Sequence, residues 1–152
     1  MRRFWSWLLT AMLWKLPMAA VVEPLHKIRT DEEQCDDEAQ QKIRKDAEQG
    51  DAKAQSYLAN KYLFGLGVPE DYAEGLKWVR KSASQGYAPA QATLGGAYLC
   101  GIGVPKDYAE AMKWYRKAAG QGNALAQGSL GDQYENGLGV PKDYAEAMKW
   151  YR

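Results

Sequence analysis

Sixteen residues are spelled almost identically twice. GIGVPKDYAEAMKWYR occupies 101–116 and GLGVPKDYAEAMKWYR occupies 137–152, with one Ile-to-Leu change between them. A looser copy, GLGVPEDYAEGLKWVR, spans 65–80. The period is 36 residues: Gly50, Gly86 and Gly122 keep step, as do Pro69, Pro105 and Pro141. A catalytic centre needs its residues once. A strict period of this size marks supersecondary units in a row, each burying its apolar face only against its neighbours.

Each unit reads as two helices. The first runs over 52–64, 88–100 and 124–136. Ala54, Leu58 and Tyr62 are four apart and line one face, as do Ala90, Leu94, Tyr98 and Ala126, Leu130, Tyr134. Beside this stripe stand the small residues Ala59, Gly95 and Gly131, which let two helices approach closely. Asp51 and Asn123 are suited to cap the helix start, whereas Tyr87 is not. Pro89 falls in the first turn, where its missing N–H costs little.

The link G-x-G-V-P follows. Gly65, Gly101 and Gly137 fit the left-handed position that ends a helix, and the prolines prevent its continuation. A dinucleotide-binding loop needs a third glycine and a preceding strand, and neither is present. The second helix opens on Asp71 with Glu74, Asp107 with Glu110, and Asp143 with Glu146, each pair spaced as a reciprocal capping box. That role explains spacing and repetition together, where paired catalytic carboxylates would have to be a triplicated active site. Trp78, Trp114 and Trp150 recur on the buried stripe, with Ala111, Tyr115 and Ala118 beside Trp114. Gly75 replaces the stripe alanine in the first copy, at about 1 kcal/mol of helix propensity. Lys113, Arg116 and Lys117 read as the solvated face.

Outside the repeats the first twenty residues differ in kind. MRR precedes the apolar run FWSWLLTAMLW, then Lys15, Pro17 and Ala19-Ala20. The pattern is similar to a secretory signal peptide over 1–20, with anchoring through residues 4–22 as the alternative. Cleavage after Ala20 removes Arg2, Arg3 and Lys15 and no acid, taking the formal charge from +1 to −2. Neither value offers the basic field that nucleic acid requires. Export exposes Cys35 and Cys100 to an oxidising compartment, yet two cysteines in different units read as separate thiols. One histidine, His26, and no C-x-x-C spacing leave no zinc site. Residues 21–49 read as a linker and a degenerate capping helix, in which Ile43 and Ala47 align with Val79 and Ala83. The last helix stops at Tyr151-Arg152, where earlier copies continue, so fraying and partial exposure of Trp150 and Tyr151 are expected. The units are thus 50–85, 86–121 and 122–152, the last shorter than its predecessors.

The pattern A-x-x-x-L-x-x-x-Y…G-x-G-V-x-x-D-Y-x-x-A-x-x-W-Y-x-K-A-A-x-Q-G, present from Gly50 to Arg152, resembles the Sel-1-like repeat, a relative of the tetratricopeptide repeat. The resemblance implies an all-α fold, a right-handed α/α superhelical solenoid whose first helices line a concave face. It implies a protein–protein interaction module or adaptor without an enzymatic role or a cofactor. One cysteine-rich branch of that family binds penicillin-like compounds, but it carries a cysteine pair in each repeat, and this chain does not. No S-x-x-K and no G-x-S-x-G is present. A β-lactam-binding relative and a marginally stable fragment are the alternatives.

Positions identical in all copies serve the stack, and those that differ are free of that duty. In the first helix the differing residues lie on one arc opposite the apolar stripe. They are Lys53/Pro89/Leu125, Tyr57/Thr93/Ser129, Asn60/Gly96/Asp132 and Phe64/Cys100/Asn136, with Lys61/Ala97/Gln133 at the edge. Read as a partner groove, the arc offers Tyr57, Asn60, Lys61, Phe64, Thr93 and Asp132 as contact residues. Read otherwise, it is an ordinary solvent face.

Overall fold

A computed structural model describes residues 37–152. The expected leader, the linker up to residue 36 and Cys35 lie outside them. Residues 37–48 are helical (α1). Three helix pairs follow: α2 (Ala52–Phe64) with α3 (Tyr72–Ser84), α4 (Ala88–Cys100) with α5 (Tyr108–Ala119), and α6 (Ala124–Asn136) with α7 (Tyr144–Trp150). The described residues contain no strand. Ile43–Arg152 form one compact unit, in which each of the six helices packs on the next in sequence and α4 also touches α6. This is the stacked α/α solenoid that the period requires.

The helix ends follow from local chemistry. Asp51 and Asn123 accept from the N–H of Ala54 and Ala126 at 2.6 and 2.9 Å, while Tyr87 makes no side-chain cap. Gly65, Gly101 and Gly137 adopt left-handed φ of 63°, 76° and 70°. At the second helices the aspartates cap as expected: Asp71, Asp107 and Asp143 each accept from the N–H of the glutamate three residues on. The reciprocal half of the box differs. The N–H groups of Asp71, Asp107 and Asp143 donate instead to the carbonyls of Tyr62, Tyr98 and Tyr134, each at 2.9 Å. The link folds back on its own first helix and takes that donor. Glu74, Glu110 and Glu146 then turn outward to Lys77, Lys113 and Lys149.

Between the helices of a pair, size is matched across the seam. An added Cβ at Gly95 would lie 2.9 Å from the Tyr115 ring, and one at Gly131 would lie 2.3 Å from that of Tyr151. In the first pair the same two positions hold Ala59 and Val79, a larger residue facing a smaller one, both buried in one cluster with Leu58, Trp78 and Leu94. Gly75 obeys the same logic. A Cβ there would come within 2.8 Å of Leu63 and 3.3 Å of the Ala59 carbonyl, so the glycine makes room for Leu63 and the propensity cost has a packing return. Gly103, at φ 65°, would drive a Cβ to 2.7 Å from Leu76 of the preceding unit. The second glycine of the link therefore seats one unit on the last.

Polar groups cross the seams between units. Gln55 donates to the Ala47 carbonyl at 2.9 Å and Gln91 to that of Ala83 at 3.3 Å; Gln127 is placed alike against Ala119 at 3.5 Å. Gln85 donates to Gln55 Oε1 at 2.7 Å, and Gln121 to Gln91 Oε1 at 2.8 Å. Gln55 and Gln91 thus each satisfy a carbonyl of the preceding segment and are held by the Q-G glutamine of their own unit. Arg116, on the nominally solvated face, donates to the Tyr134 hydroxyl at 2.8 Å. The last helix ends at Trp150, and Trp150 and Tyr151 are partly exposed as expected; the Tyr151 hydroxyl, on a residue 45% exposed, donates to Asp132 and Glu135 at 2.7 and 2.8 Å. Those two carboxylates raise its pKa above the ordinary tyrosine value.

Two measurements check this account. Gln91→Leu orphans a buried carbonyl and should cost about 1–3 kcal/mol in urea unfolding. Gln127→Leu, at a half-exposed site with a longer bond, should cost less, and equal losses would contradict the ladder. Gly95→Ala should destabilise the wild type, because overpacking of about 1–3 kcal/mol outweighs the gain in propensity. In a Tyr115→Val background, which recreates the Ala59–Val79 pair, Gly95→Ala should become neutral or stabilising. A cycle that closes with zero coupling would refute the size match.

Candidate functional site

The arc of differing residues opens onto a groove along the first helices. A cavity of about 520 Å³ is lined from α2 by Leu63 and Phe64, from α4 by Ala92, Thr93, Gly96 and Cys100, and from the start of α6 by Asn123 and Leu125. Glu70 and Tyr72 border it from the first link and α3, Ile102 from the second link, and Tyr115 from α5. Pro89 lines both this cavity and a neighbouring depression of about 460 Å³, formed with Ile43, Lys53, Tyr57 and Asn60. The two are thus consecutive stretches of one surface. Periodicity positions them: a solenoid places equivalent residues of successive first helices side by side, so the arc of one helix continues into that of the next.

The candidate residues do not all meet there. Phe64 and Thr93 line the larger cavity, and Tyr57 and Asn60 the smaller one. Asp132 is exposed on α6, at the position equivalent to Asn60 and Gly96, and accepts from Tyr151. Lys61 is different. It is only 8% exposed, and its Nζ lies 3.8 Å from where a Cβ on Gly67 would be. Ala97 and Gln133, its counterparts, are buried too. Position 61 sits only about 60° from Leu58 on the helix, and the G-x-G link covers it. Lys61 therefore leaves the set of partner-facing residues.

The walls are apolar and the polar groups largely spent. Thr93 donates to the Pro89 carbonyl at 3.0 Å, and Asn123 Oδ1 caps α6. Burial raises the pKa of Tyr115, and the Glu70 carboxylate raises that of Tyr72. Phe64 and Leu125 each remain 65% exposed at the rim, and the Cys100 thiol is free and exposed. The described residues hold no group of three or more His, Cys, Asp or Glu that could bind a metal, and none of their helices is long and apolar enough to cross a membrane. What this arrangement can do chemically is desolvate apolar side chains.

Sequence reasoning missed Glu70, Tyr72, Ile102 and Tyr115, because a wheel drawn on the first helix excludes links and second helices, and it missed Leu63 and Ala92, which lie on the first helices outside the chosen arc. One signal existed: Glu70 stands where Lys106 and Lys142 stand in the later copies.

Known proteins fit this description. Sel1 repeats match residues 52–87, 88–123 and 124–152. The structure is similar to c5321, a protective antigen of uropathogenic Escherichia coli strains displaying an SLR fold, with a TM-score of 0.71 and 44% identity over 73% of this chain. The chain spans only 24% of that antigen. A Sel1 repeat protein from Oxalobacter formigenes aligns with a TM-score of 0.66 and 40% identity, over 73% of this chain and 84% of that one. Helicobacter pylori cysteine rich protein B shares the fold at 23% identity and a TM-score of 0.56, over 73% of this chain and 84% of its own. No curated protein matches the sequence. Repeats of this kind typically serve as protein-interaction modules, and with three of them in register, this chain belongs to the Sel1 repeat family.

Proposed function

We propose that the protein is a non-enzymatic interaction module that takes a segment of a protein partner into the groove between Phe64 and Leu125. One observation carries this reading: Phe64, Pro89, Thr93, Gly96, Cys100 and Leu125, at positions that differ between the copies, border an apolar cavity. Exposing Phe64 and Leu125 to water is unfavourable by roughly 25 cal/mol per Å² of apolar surface, and nothing in the stack requires it. Contiguous exposed apolar surface of this sort marks sites of association. The module acts after export, since MRR, the apolar run and Ala19-Ala20 have the layout of a cleaved leader.

Phe64→Asn installs the residue that Asn136 already supplies at the equivalent place, and Leu125→Ser alters an exposed first-turn position. Both should leave the thermal midpoint within a few degrees of wild type. Retention of partners from the envelope fraction of the native organism, compared by mass spectrometry, should fall at least tenfold for the double variant, as expected for loss of apolar anchors. In a Cys35→Ser background a retained partner should also slow alkylation of Cys100, which lines the cavity. Undiminished capture by a folded double variant would remove the groove from the interface. Amino-terminal sequencing of the protein from that fraction should begin at residue 21, and an intact Met1 would favour the anchor.

A further inference from the structure

The chemistry of the groove narrows its occupant. Cavities of about 300–1,000 Å³ take drug-sized ligands, so about 520 Å³ accommodates more than one side chain. The cavity also continues past Pro89 into the second depression, which suits an extended segment better than an isolated small molecule. Its hydroxyl and amide groups are engaged within the fold, as described for Thr93 and Asn123, and so specify little.

Charge remains. Among the described residues lining the larger cavity, Glu70 is the charged one, and none is Lys, Arg or His. Helix α4 carries no charged residue, and α6 carries only Asp132 and Glu135. Lys106 and Lys142 stand on the links, outside the cavity lining, and on the second helices Lys81 and Lys117 lie 4.4 and 4.2 Å from the ring centres of Trp78 and Trp114. Lys53 lines the neighbouring depression, not this cavity. The groove past Pro89 is therefore apolar with an acidic border, on a chain whose formal charge is close to neutral.

We infer that the segment this cavity takes is basic and amphipathic: bulky apolar side chains seated against Phe64, Ala92, Gly96 and Leu125, with a flanking Lys or Arg facing Glu70 or Asp132. The inference rests on the groove reading above and adds the partner's charge. Opposite charges at the rim of an interface select partners and speed encounter more than they add affinity. The contribution at each exposed pair is therefore modest and sensitive to salt.

The repeats supply the variants for a test. Glu70→Lys installs the residue found at Lys106 and Lys142, and Asp132→Asn the residue found at Asn60. Glu70→Lys should leave the stack undisturbed, and Asp132→Asn keeps an amide oxygen that can still accept from the Tyr151 hydroxyl, so its cost should be small; a thermal melt verifies both. The full chain is used to select from a random displayed peptide library, and the enriched consensus is synthesised with its Lys and Arg intact or changed to Glu. By fluorescence anisotropy at low salt, the basic peptide should bind wild type at least tenfold more tightly than its acidic counterpart. That preference should shrink by about fivefold for each of Glu70→Lys and Asp132→Asn, and at high salt. Phe64→Asn with Leu125→Ser should weaken both peptides alike. An enriched peptide that needs Phe64 and Leu125 but is neutral or acidic, or ignores the two charge variants, overturns the charge assignment and leaves the groove standing. Peptides indifferent to Phe64 and Leu125, or no enrichment at all, overturn the groove reading and this inference with it.

Discussion

Every part of this molecule depends on the seam between neighbouring helices. A helix pair of this length has no interior of its own, so its apolar residues leave water only where the next helix covers them. Close approach makes that cover effective, and close approach is set by which residue stands small. Gly95 faces Tyr115 and Gly131 faces Tyr151, while Ala59 shares its cluster with Val79. The buried glutamines act on the seams between units. Gln55 and Gln91 each reach back to a carbonyl of the unit before, which leaves a mis-stacked neighbour with an unsatisfied polar group.

That dependence divides the surface in two. The stripe of the first helices, Leu58 and Tyr62 with their counterparts Leu94, Tyr98, Leu130 and Tyr134, is the same in every copy. The arc opposite it differs, and there Phe64, Cys100 and Asn136 occupy one position, as do Lys53, Pro89 and Leu125. Part of the variable arc, Phe64, Pro89, Thr93, Gly96, Cys100 and Leu125, borders the apolar cavity together with the seam residues Leu63 and Tyr115.

Departures from the sequence-level expectations share a cause, the folding back of the G-x-G link. It supplies a carbonyl partner for the N–H of Asp71, so Glu74 is released to Lys77 and the capping box is only half formed. It roofs the side of α2 where Lys61 emerges, so a charged residue assigned to the groove is buried instead. It also brings Ile102 to the cavity border. A helical wheel treats each helix as a free cylinder and has no way to register a loop that returns to cover one of its sides.

The sequence by itself determined the helices, their capping aspartates, the left-handed glycines and the order of stacking, because these depend on residues within one turn of each other or on a period that recurs. Tertiary structure alone decided which side chains share a cavity. Glu70, Thr93, Tyr115 and Leu125 come from four different segments, and only the angle and spacing at which whole helices pack bring them to one place. It also decided why Gly75 is glycine, since the reason is a leucine twelve residues away on another helix. Local rules reach as far as the hydrogen bonds of a turn, whereas the shape of a groove is set by the volumes of side chains that meet across the seams.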